Sequence, residues 1–226
     1  MHTPSKEHMN AVYEILRYLI GASGKGLLYV KNDVSNIEGY TDADWAGDQT
    51  TRRSTSGYLT FVEGNLITWR SKKKKVVARS NAEAEFWGMA QGIYELLWIK
   101  SVMKDLKVKY MDPIKLYCDN KTAIQIAYNL VQHNRTKHVE VNRHFIKEKL
   151  DQRIICFPFV RSTNQLVDVL TKAVLNKDFD SIIDKLGMID IYTSTWGEVL
   201  VGKLFIDFRV IENLLVSLYI VLSYVE

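Results

Sequence analysis

The sequence predicts an α/β protein built on one mixed five-stranded sheet with helices on both faces. Three strand-like segments follow one another at residues 37–46, 56–64 and 66–77, which indicates an antiparallel meander. Strand-like and helical stretches then alternate, an order typical of β-α units. At 226 residues, 47% of them hydrophobic and 25% charged, the chain is large enough to bury a core of this kind.

Helices are expected on both sides of the meander. Residues 4–20 carry apolar side chains at helical spacing. The long helix over residues 80–106 begins at Ser80, and Glu83 completes a capping box, in which each of the two side chains accepts a hydrogen bond from a backbone N–H. A short hairpin turn at residues 64–65 separates the second and third strands.

The β-α units complete the sheet. In chain order we expect a strand, two helices, a second strand and two further helices, at residues 114–119, 121–129, 138–153, 154–160, 164–174 and 177–188. From about residue 194 the sequence is apolar and β-branched, without turn residues or chemistry that the pattern identifies.

The composition excludes several classes of protein. A polar start cannot be a secretory signal, and the uncharged run at 213–225 is shorter than the roughly 20 apolar residues of a membrane span. Cys118 and Cys156 form neither a disulfide framework nor a CxxC metal site. We therefore expect a soluble cytoplasmic or nuclear protein with reduced thiols and no membrane partner.

Acidic residues stand at the ends or starts of four different predicted elements: Asp42, Glu85, Asp119 and Asp168. Because the ends of neighbouring strands in a mixed sheet lie close together, the four carboxylates can converge. Carboxylates brought together repel unless cations lie between them, and Mg²⁺ prefers such oxygen ligands. A single aspartate at a strand end is more often a turn or cap residue, and Asp119 could cap the following helix.

Four stretches resemble a known family: "GYTDADWAGDQTTRRSTSGYLTFVEGNLITWRSKKKKVVARSNAEAEFWGMA", "LYCDNKTAI", "RTKHVEVNRHFIKE" and "FVRSTNQLVDVLTKA". They are similar, in the same order, to the ribonuclease H region at the C-terminal end of copia-type retrotransposon Pol polyproteins. The resemblance covers about residues 1–193 and implies a ribonuclease H-like fold. It divides the chain into a linker helix at 1–30, like the one that joins reverse transcriptase to ribonuclease H, a ribonuclease H-like domain at 31–193 and an unassigned apolar tail at 194–226. Met1 is then expected to be an internal methionine of a longer reading frame.

The resemblance also implies an activity. The family cleaves the RNA strand of RNA–DNA hybrids with an Asp-Glu-Asp-Asp set and two Mg²⁺ ions, for which Mn²⁺ is a substitute. Carried over by motif, that set is Asp42, Glu85, Asp119 and Asp168. As hypotheses, Asp42 bridges both ions, Asp119 and Glu85 lie on the side of the leaving group, and Asp168 holds the ion that activates the attacking water. The implied partners are an RNA–DNA hybrid and the reverse transcriptase and integrase regions of the same polyprotein.

The other two aspartates of "GYTDADWAGD" have lesser predicted roles. Asp44 shares a strand face with Asp42 through the period of two, so it is expected at the rim of the site. Asp48 follows Gly47 and is expected to be a turn residue.

Nucleic-acid contacts are expected from residues around the acidic set. Lys72, Lys73 and Lys74 belong to a basic run that either follows a phosphate backbone or only keeps a strand end solvated. Asn120 and the weaker candidate Asn81 could contact the 2′-hydroxyls of an RNA strand.

The histidines fit no common zinc pattern. His133, His138 and His144 have the wrong spacing for zinc. His138 and His144 stand where the family shows histidines, and we expect structural or substrate-proximal roles, with His138 a candidate nucleic-acid contact. No histidine lies between Phe145 and Asp168, where many cellular ribonucleases H carry a mobile one, which puts turnover rate in question.

Two alternatives to the nuclease remain open. One is a non-catalytic relic that at most binds nucleic acid. The other is an integrase-type nuclease of the same fold, which would place its glutamate last in chain order, whereas Glu85 comes second here.

Overall fold

The computed structural model describes residues 5–21, 25–32, 36–129, 137–172, 174, 176–190 and 204–206. Its helices are α1 (Lys6–Gly21), α2 (Asn81–Asp105), α3 (Lys121–Tyr128), α4 (Lys137–Asp151), α5 (Asp168–Thr171) and α6 (Asn176–Lys185). Its strands are β1 (Lys25–Tyr29), β2 (Asn36–Asp44), β3 (Thr55–Val62), β4 (Asn65–Lys73), β5 (Met111–Tyr117), β6 (Ile155–Cys156), β7 (Met188–Asp190) and β8 (Leu204–Ile206).

The main sheet has five strands in the order β4-β3-β2-β5-β6. The pairs β2–β3 and β3–β4 are antiparallel, whereas β5 runs parallel to β2 and β6 parallel to β5. The predicted mixed five-stranded sheet, an antiparallel meander continued by β-α units, is therefore confirmed.

The hairpin between β3 and β4 turns one residue earlier than predicted. Glu63 and Gly64 form the turn, with φ values of 54° and 76°. Two central residues with positive φ give the backbone twist that matches a two-residue hairpin, and glycine adopts that conformation without a steric penalty. The turn fixes the register of β3 with β4, in which Val62 pairs with Asn65. In the neighbouring β2–β3 pair, Gly57 of β3 lies opposite Asp42 of β2.

Helices cover both faces of this sheet. On one face α2 packs on β2, β3 and β5, α4 packs on β6, and α3 packs against α2 and α4. Their shared core contains Phe86, Met89, Ile93, Leu116 and Ile146. On the other face α5 and α6 pack on β3 around Leu59, Phe61, Val167, Leu170 and Ile183. Burial of large apolar side chains on both faces stabilises the sheet between two helical layers.

A second, three-stranded sheet was not predicted. Strand β1 lies between β7 and β8 and is antiparallel to both. It is tied to the main sheet because the Tyr29 hydroxyl donates to the Leu66 carbonyl at 2.6 Å, and the Val30 N–H donates to Asn65 Oδ1 at 2.8 Å. Strand β1 lies before the predicted boundary at residue 30 and pairs with β7 and β8, which lie on either side of the predicted boundary at residue 194. The division into domains stays a prediction.

Two predicted elements are shorter than expected. The strand at 154–160 pairs only through Ile155–Cys156 and one isolated bridge at Phe159, since Pro158 has no N–H to donate. The helix at 164–174 is reduced to Asp168–Thr171, because the chain before it crosses the end of the sheet in an extended and 3₁₀ conformation. Among the described residues, no helix is both long enough and apolar enough to span a membrane.

Candidate metal centre

The site lies at one end of the main sheet, where the parallel strands β2 and β5 both finish. Tyr40 pairs with Tyr117, so Asp42, two residues further along β2, lies level with Asp119 after β5. The carboxyl ends of adjacent parallel strands meet at one edge, as the prediction required. Asp42 is buried, and Asp119 is half-buried.

Glu85 reaches the same edge from the start of α2. The Ser80 side chain caps this helix by accepting a hydrogen bond from the Glu83 N–H at 3.2 Å. The Glu83 carboxylate accepts from the Arg79 N–H at 2.7 Å, one residue before the cap, so the predicted capping box is shifted by one residue on that side. The two acids of "EAE" are thereby separated, with Glu83 at the helix cap and Glu85 buried against the sheet.

Asp168 is the first residue of α5, and the segment before it is anchored to the sheet end. The buried Gln165 amide donates to the Thr41 carbonyl at 2.9 Å, next to Asp42. Ser162 Oγ donates to Asp119 Oδ2 at 2.7 Å. These two bonds connect residues more than forty positions apart in the chain and bring Asp168 over the ends of β2 and β5.

The four predicted carboxylates converge. Oxygens of Asp42, Asp119 and Asp168 lie within 4.8 Å of one another, and so do ligand atoms of Glu85, Cys118 and Asp119. Opposite ligands of an octahedral Mg²⁺ are about 4 Å apart, so small side-chain rotations bring these oxygens to coordinating distance. Glu85 Oε2 is buried and accepts no hydrogen bond from the described residues. Four carboxylates, with an unsatisfied buried oxygen on Glu85, fit a hard divalent ion.

Burial and mutual repulsion raise the pKa values of the most buried acids. Burial, with Asp42 and Asp119 next, raises the pKa of Glu85 to about 9. Burial also raises the pKa of Asp42, and Asp119 adds to the rise, whereas Lys172 and the Thr171 hydroxyl oppose it. At neutral pH Glu85 therefore keeps a proton that a divalent ion would replace.

Asp168 has a milder environment. Burial, with Asp42 next, raises the pKa of Asp168 to about 6, and its contact with Lys172 limits the rise. Burial alone would lower the pKa of Lys172, but Asp42, Asp168 and Asp119 together raise it above its ordinary value. Lys172 is thus a positive charge held among carboxylates.

Cys118 lies in the same cluster and is fully buried. Burial, with Glu85 next, raises the pKa of the Cys118 thiol well above its ordinary value. Its sulfur accepts a hydrogen bond from the Asn120 N–H at 3.4 Å. A neutral, soft sulfur is a poor ligand for Mg²⁺, so Cys118 lines the site and leaves coordination to the oxygens.

The other two aspartates of "GYTDADWAGD" lie where the sequence predicts them. Asp44 lies at the end of β2, where burial, with Asp42 next, raises its pKa. Asp48 is a turn residue: Asp48 Oδ1 accepts from the Thr50 and Thr51 N–H groups at 2.9 and 3.0 Å. Asp48 Oδ2 also accepts from Lys73 Nζ at 2.8 Å.

The predicted basic contacts lie at the same end of the sheet, two strands from Asp42. Lys72 and Lys73 pair across β4 with Ser56 and Thr55 of β3. Lys73 is bonded to Asp48, while Lys72 is exposed. Lys74 is half-buried, and burial, with Arg70 and Lys72 next, lowers its pKa to about 8. Such crowding of positive charge favours an anion nearby.

The remaining predicted contacts have mixed positions. Asn120 Oδ1 caps α3 by accepting from the Ala123 N–H at 2.9 Å, and its amide nitrogen can still donate to a ligand. Asn81 is exposed at the start of α2, and His144 is exposed on α4. His133 and the side chain of His138 lie outside the described residues. Contacts of these residues with nucleic acid stay predictions.

Sequence reasoning missed Thr171 and Lys172. The buried Thr171 hydroxyl donates a hydrogen bond to Asp42 Oδ2. Lys172 Nζ lies 2.9 Å from Asp168 Oδ1 and 3.8 Å from Asp42 Oδ1. The available signal was the spacing of Asp168 and Lys172, since residues four apart on a helix are neighbours.

Comparison with known proteins gives long sequence matches. The Pol polyprotein of transposon RE1 of Arabidopsis thaliana, described as retrovirus-related, is 37% identical over 188 residues, which is 83% of this chain and 13% of that protein. The corresponding polyprotein of transposon TNT 1-94 of Nicotiana tabacum is also 37% identical over 188 residues, 83% of this chain and 14% of that protein. The chain therefore spans about one seventh of the length of these relatives. No family model matches the chain.

Comparison with solved structures gives matches to ribonucleases H, with low TM-scores and low sequence identity. LC11 ribonuclease H1, solved in complex with an RNA/DNA hybrid, has a TM-score of 0.43 and 16% identity, covering 57% of this chain and 88% of that one. Ribonuclease H1 of Halobacterium salinarum NRC-1 has a TM-score of 0.42 and 14% identity, covering 65% of this chain and 98% of that one. The strand order of the main sheet and its mixed pairing are those expected for the ribonuclease H-like fold.

Proposed function

The chain belongs to the retrovirus-related Pol polyproteins of transposons, as a segment with a ribonuclease H-like fold, and from that premise we propose that it cleaves the RNA strand of RNA–DNA hybrids with divalent metal ions. The convergence of Asp42, Asp119 and Asp168 within 4.8 Å at one end of the sheet is the observation that carries the proposal. Glu85 extends the same cluster through Asp119.

The four acids fit two divalent ions, Mg²⁺ or Mn²⁺. Asp119 is shared by the two groups of neighbouring ligand atoms, one with Asp42 and Asp168 and the other with Glu85 and Cys118. Asp42 and Asp119 would be the ligands that both ions share. Asp168 would hold one ion and Glu85 the other. A metal pair of this kind supplies an activated water and stabilises the leaving oxygen at phosphorus.

The chain's own residues do the remaining work by fixing the carboxylates. Thr171 holds Asp42 Oδ2 and Ser162 holds Asp119 Oδ2, so each aspartate keeps one oxygen oriented before a ligand arrives. Burial of Asp42 and Glu85 excludes water from the inner side of the cluster, which strengthens electrostatic interactions with a bound phosphate. Pre-organised oxygens of this kind lose little entropy on binding metal.

The basic residues near the site support a nucleic-acid substrate. Arg70, Lys72 and Lys74 repel one another at the end of β4, and a phosphate backbone would relieve that repulsion. This edge is two strands from Asp42, or roughly 10 Å at the usual spacing between strands. A strand of nucleic acid that follows the lysines can therefore reach the carboxylates. We propose the preference for a hybrid because the sequence motifs around the four acids resemble the ribonuclease H region of copia-type polyproteins.

The test is a cleavage assay on an RNA–DNA hybrid with Mg²⁺, with duplex DNA and duplex RNA as competing substrates. Wild type should cut the RNA strand of the hybrid and leave 5′-phosphates. Asp119→Asn should lower the rate by about 100-fold or more, since loss of a partner outside the coordination sphere already accounts for 10- to 100-fold. Asp151→Asn is the matched control, because Asp151 lies on α4 and pairs with Lys147.

Three results would decide against the nuclease. No cleavage by folded wild-type protein, with hybrid binding retained, would favour a non-catalytic hybrid-binding protein. Equal rates for wild type and Asp119→Asn would assign the activity to a contaminant. Preferential cutting of duplex DNA would favour an integrase-type nuclease.

A further inference from the structure

Lys172 places a positive charge inside the carboxylate cluster. Its Nζ lies 2.9 Å from Asp168 Oδ1 and 3.8 Å from Asp42 Oδ1. The Lys172 N–H donates to the Asp168 carbonyl at 3.0 Å, which fixes the start of the side chain at the end of α5. The Lys172 backbone is therefore held close to Asp168, within reach of the carboxylates for its side chain.

The ammonium is held from one side and open on the other. The Lys172 side chain is 40% exposed, whereas Asp42 and Asp168 are 3% and 15% exposed. Its aliphatic part can rotate toward solvent without disturbing the core, because lysine has four flexible carbons. The two aspartates have no comparable freedom, since Thr171 holds Asp42 and Asp168 begins a helix packed on β3.

A divalent ion would use the same oxygens. An ion that coordinates Asp42 and Asp168 lies about 2 Å from the oxygens that now face the ammonium. An ammonium and a divalent ion that share two carboxylates at such distances repel strongly, because Coulomb energy varies inversely with distance and is little screened at a buried site. The two cations therefore exclude one another from the Asp42–Asp168 side of the cluster.

We propose that Lys172 is the internal counter-ion of the metal-free site and that a divalent ion displaces its ammonium from Asp42 and Asp168. Lys172 then has two effects. It stabilises the fold while the carboxylates are without metal, and it raises the Mg²⁺ concentration needed to load the site. This role rests on the proposed metal-dependent nuclease and makes Lys172 a positioning residue, because it acts through the two aspartates.

The first test measures Mg²⁺ affinity by calorimetric titration of the full chain, without substrate. Lys172→Gln should bind Mg²⁺ at least about 5-fold more tightly than wild type, the smaller end of usual coupling effects. In chelator the same variant should unfold at a lower temperature than wild type, and saturating Mg²⁺ should abolish that difference. Lys172→Arg, which keeps the charge, should behave more like wild type in both measurements.

The control is Lys147→Gln. Lys147 forms the same kind of pair four residues apart, with Asp151 at 2.8 Å, but on α4. Its removal should leave Mg²⁺ affinity unchanged. A merely structural Lys172 would give weaker metal binding in Lys172→Gln, so equal or weaker affinity overturns the proposal while hybrid cleavage by wild type still stands. Absence of Mg²⁺ binding in both proteins overturns the proposed function together with this role.

A second measurement uses the wild-type protein and does not depend on the folding of a variant. Amine acylation, located by peptide mass spectrometry, should be faster at Lys172 in Mg²⁺ than in chelator, because the displaced ammonium leaves its carboxylate partners. Lys147 provides the internal reference in the same sample. Equal acylation of Lys172 with and without Mg²⁺ overturns the proposal.

Discussion

At the scale of single residues, Glu85 differs most from its ordinary chemistry. A glutamate in the unfolded chain has a pKa of 4.5, whereas burial and two neighbouring aspartates raise that of Glu85 to about 9. The folded state thus favours the protonated acid. Its stabilising contribution is fully present below about pH 4.5 and is lost as the pH rises through about 9.

This shift predicts how metal-free stability depends on pH. In chelator, the free energy of unfolding should fall by on the order of a few kcal/mol across that window. Glu85→Gln should remove the share of the fall that belongs to Glu85, including all of the Glu85 share above about pH 6. The shares of Asp168, which is lost as the pH rises through about 6, and of Asp42 and Asp44, whose pKa values are also raised, should remain. Urea unfolding at several pH values measures both.

Glu83→Gln is the control for this prediction. Glu83 lies two residues away and accepts from the Arg79 N–H at the start of α2. Its loss should weaken the helix cap and leave the slope with pH in place. A pH dependence that persists unchanged in Glu85→Gln would show that the buried acid is not its source.

At the scale of elements, the contact between α5 and β3 positions the site. Gly57 lies opposite Asp42, and a Cβ atom there would come within 2.9 Å of Val167 and 3.0 Å of the Thr171 methyl. Helix α5 can therefore approach the sheet only because β3 has no side chain at this position. That approach is what brings the Thr171 hydroxyl to Asp42.

Gly57→Ala should destabilise the protein by about 1–3 kcal/mol, because overpacking pushes α5 away from β3. Val167→Ala, which removes the Cγ1 atom nearest to the added methyl group, should relieve part of the clash. We expect the double variant to be more stable than the sum of the single effects by about 0.5 kcal/mol or more. Urea unfolding of the four proteins measures the coupling.

Val169→Ala supplies the comparison within the same helix. Val169 is equally buried on α5 but is not among the nearest neighbours of a Cβ at position 57. The changes in the free energy of unfolding caused by Val169→Ala and Gly57→Ala should therefore be additive in the double variant. Additive behaviour for Val167→Ala as well would contradict a direct contact across this interface.

At the scale of the whole molecule, the sheet was predictable and its flanking parts were not. Alternating apolar residues and turn signals predicted the five main strands. The position of Asp42 and Asp119 at strand ends predicted that their carboxylates lie close together. Strand β1 was missed because its pairing with residues 188–190 and 204–206 leaves no trace in local sequence. The helix at 164–174 was wrong because Gln165 bonds to Thr41, a tertiary contact that overrides helical spacing.

Strand β1 also gives a prediction about the boundary at residue 30. Leu27 is buried in the same core cluster as α5 and α6, and Val30 bonds Asn65 in both directions. A chain that begins at residue 31 should therefore be less stable than one that begins at residue 25. The burial of Leu27 alone accounts for about 1.5–3 kcal/mol.

Thermal and urea unfolding of the two shortened proteins measure this difference. A chain that begins at residue 22 serves as the reference, since it removes α1 and keeps β1. Equal stability of the chains beginning at residues 25 and 31 would support residue 30 as the start of an independent folding unit.

The reactivity of the buried Cys118 thiol beside the acids reports local opening of the protein. Cys118 is fully buried, whereas Cys156, the second cysteine, is half-buried. A thiol reagent must therefore wait for a transient separation of β5 from its neighbours before it can react with Cys118, but not with Cys156. The ratio of the modification rates of Cys118 and Cys156 therefore measures how often the end of the sheet opens. A ligand that binds the carboxylates should slow the modification of Cys118.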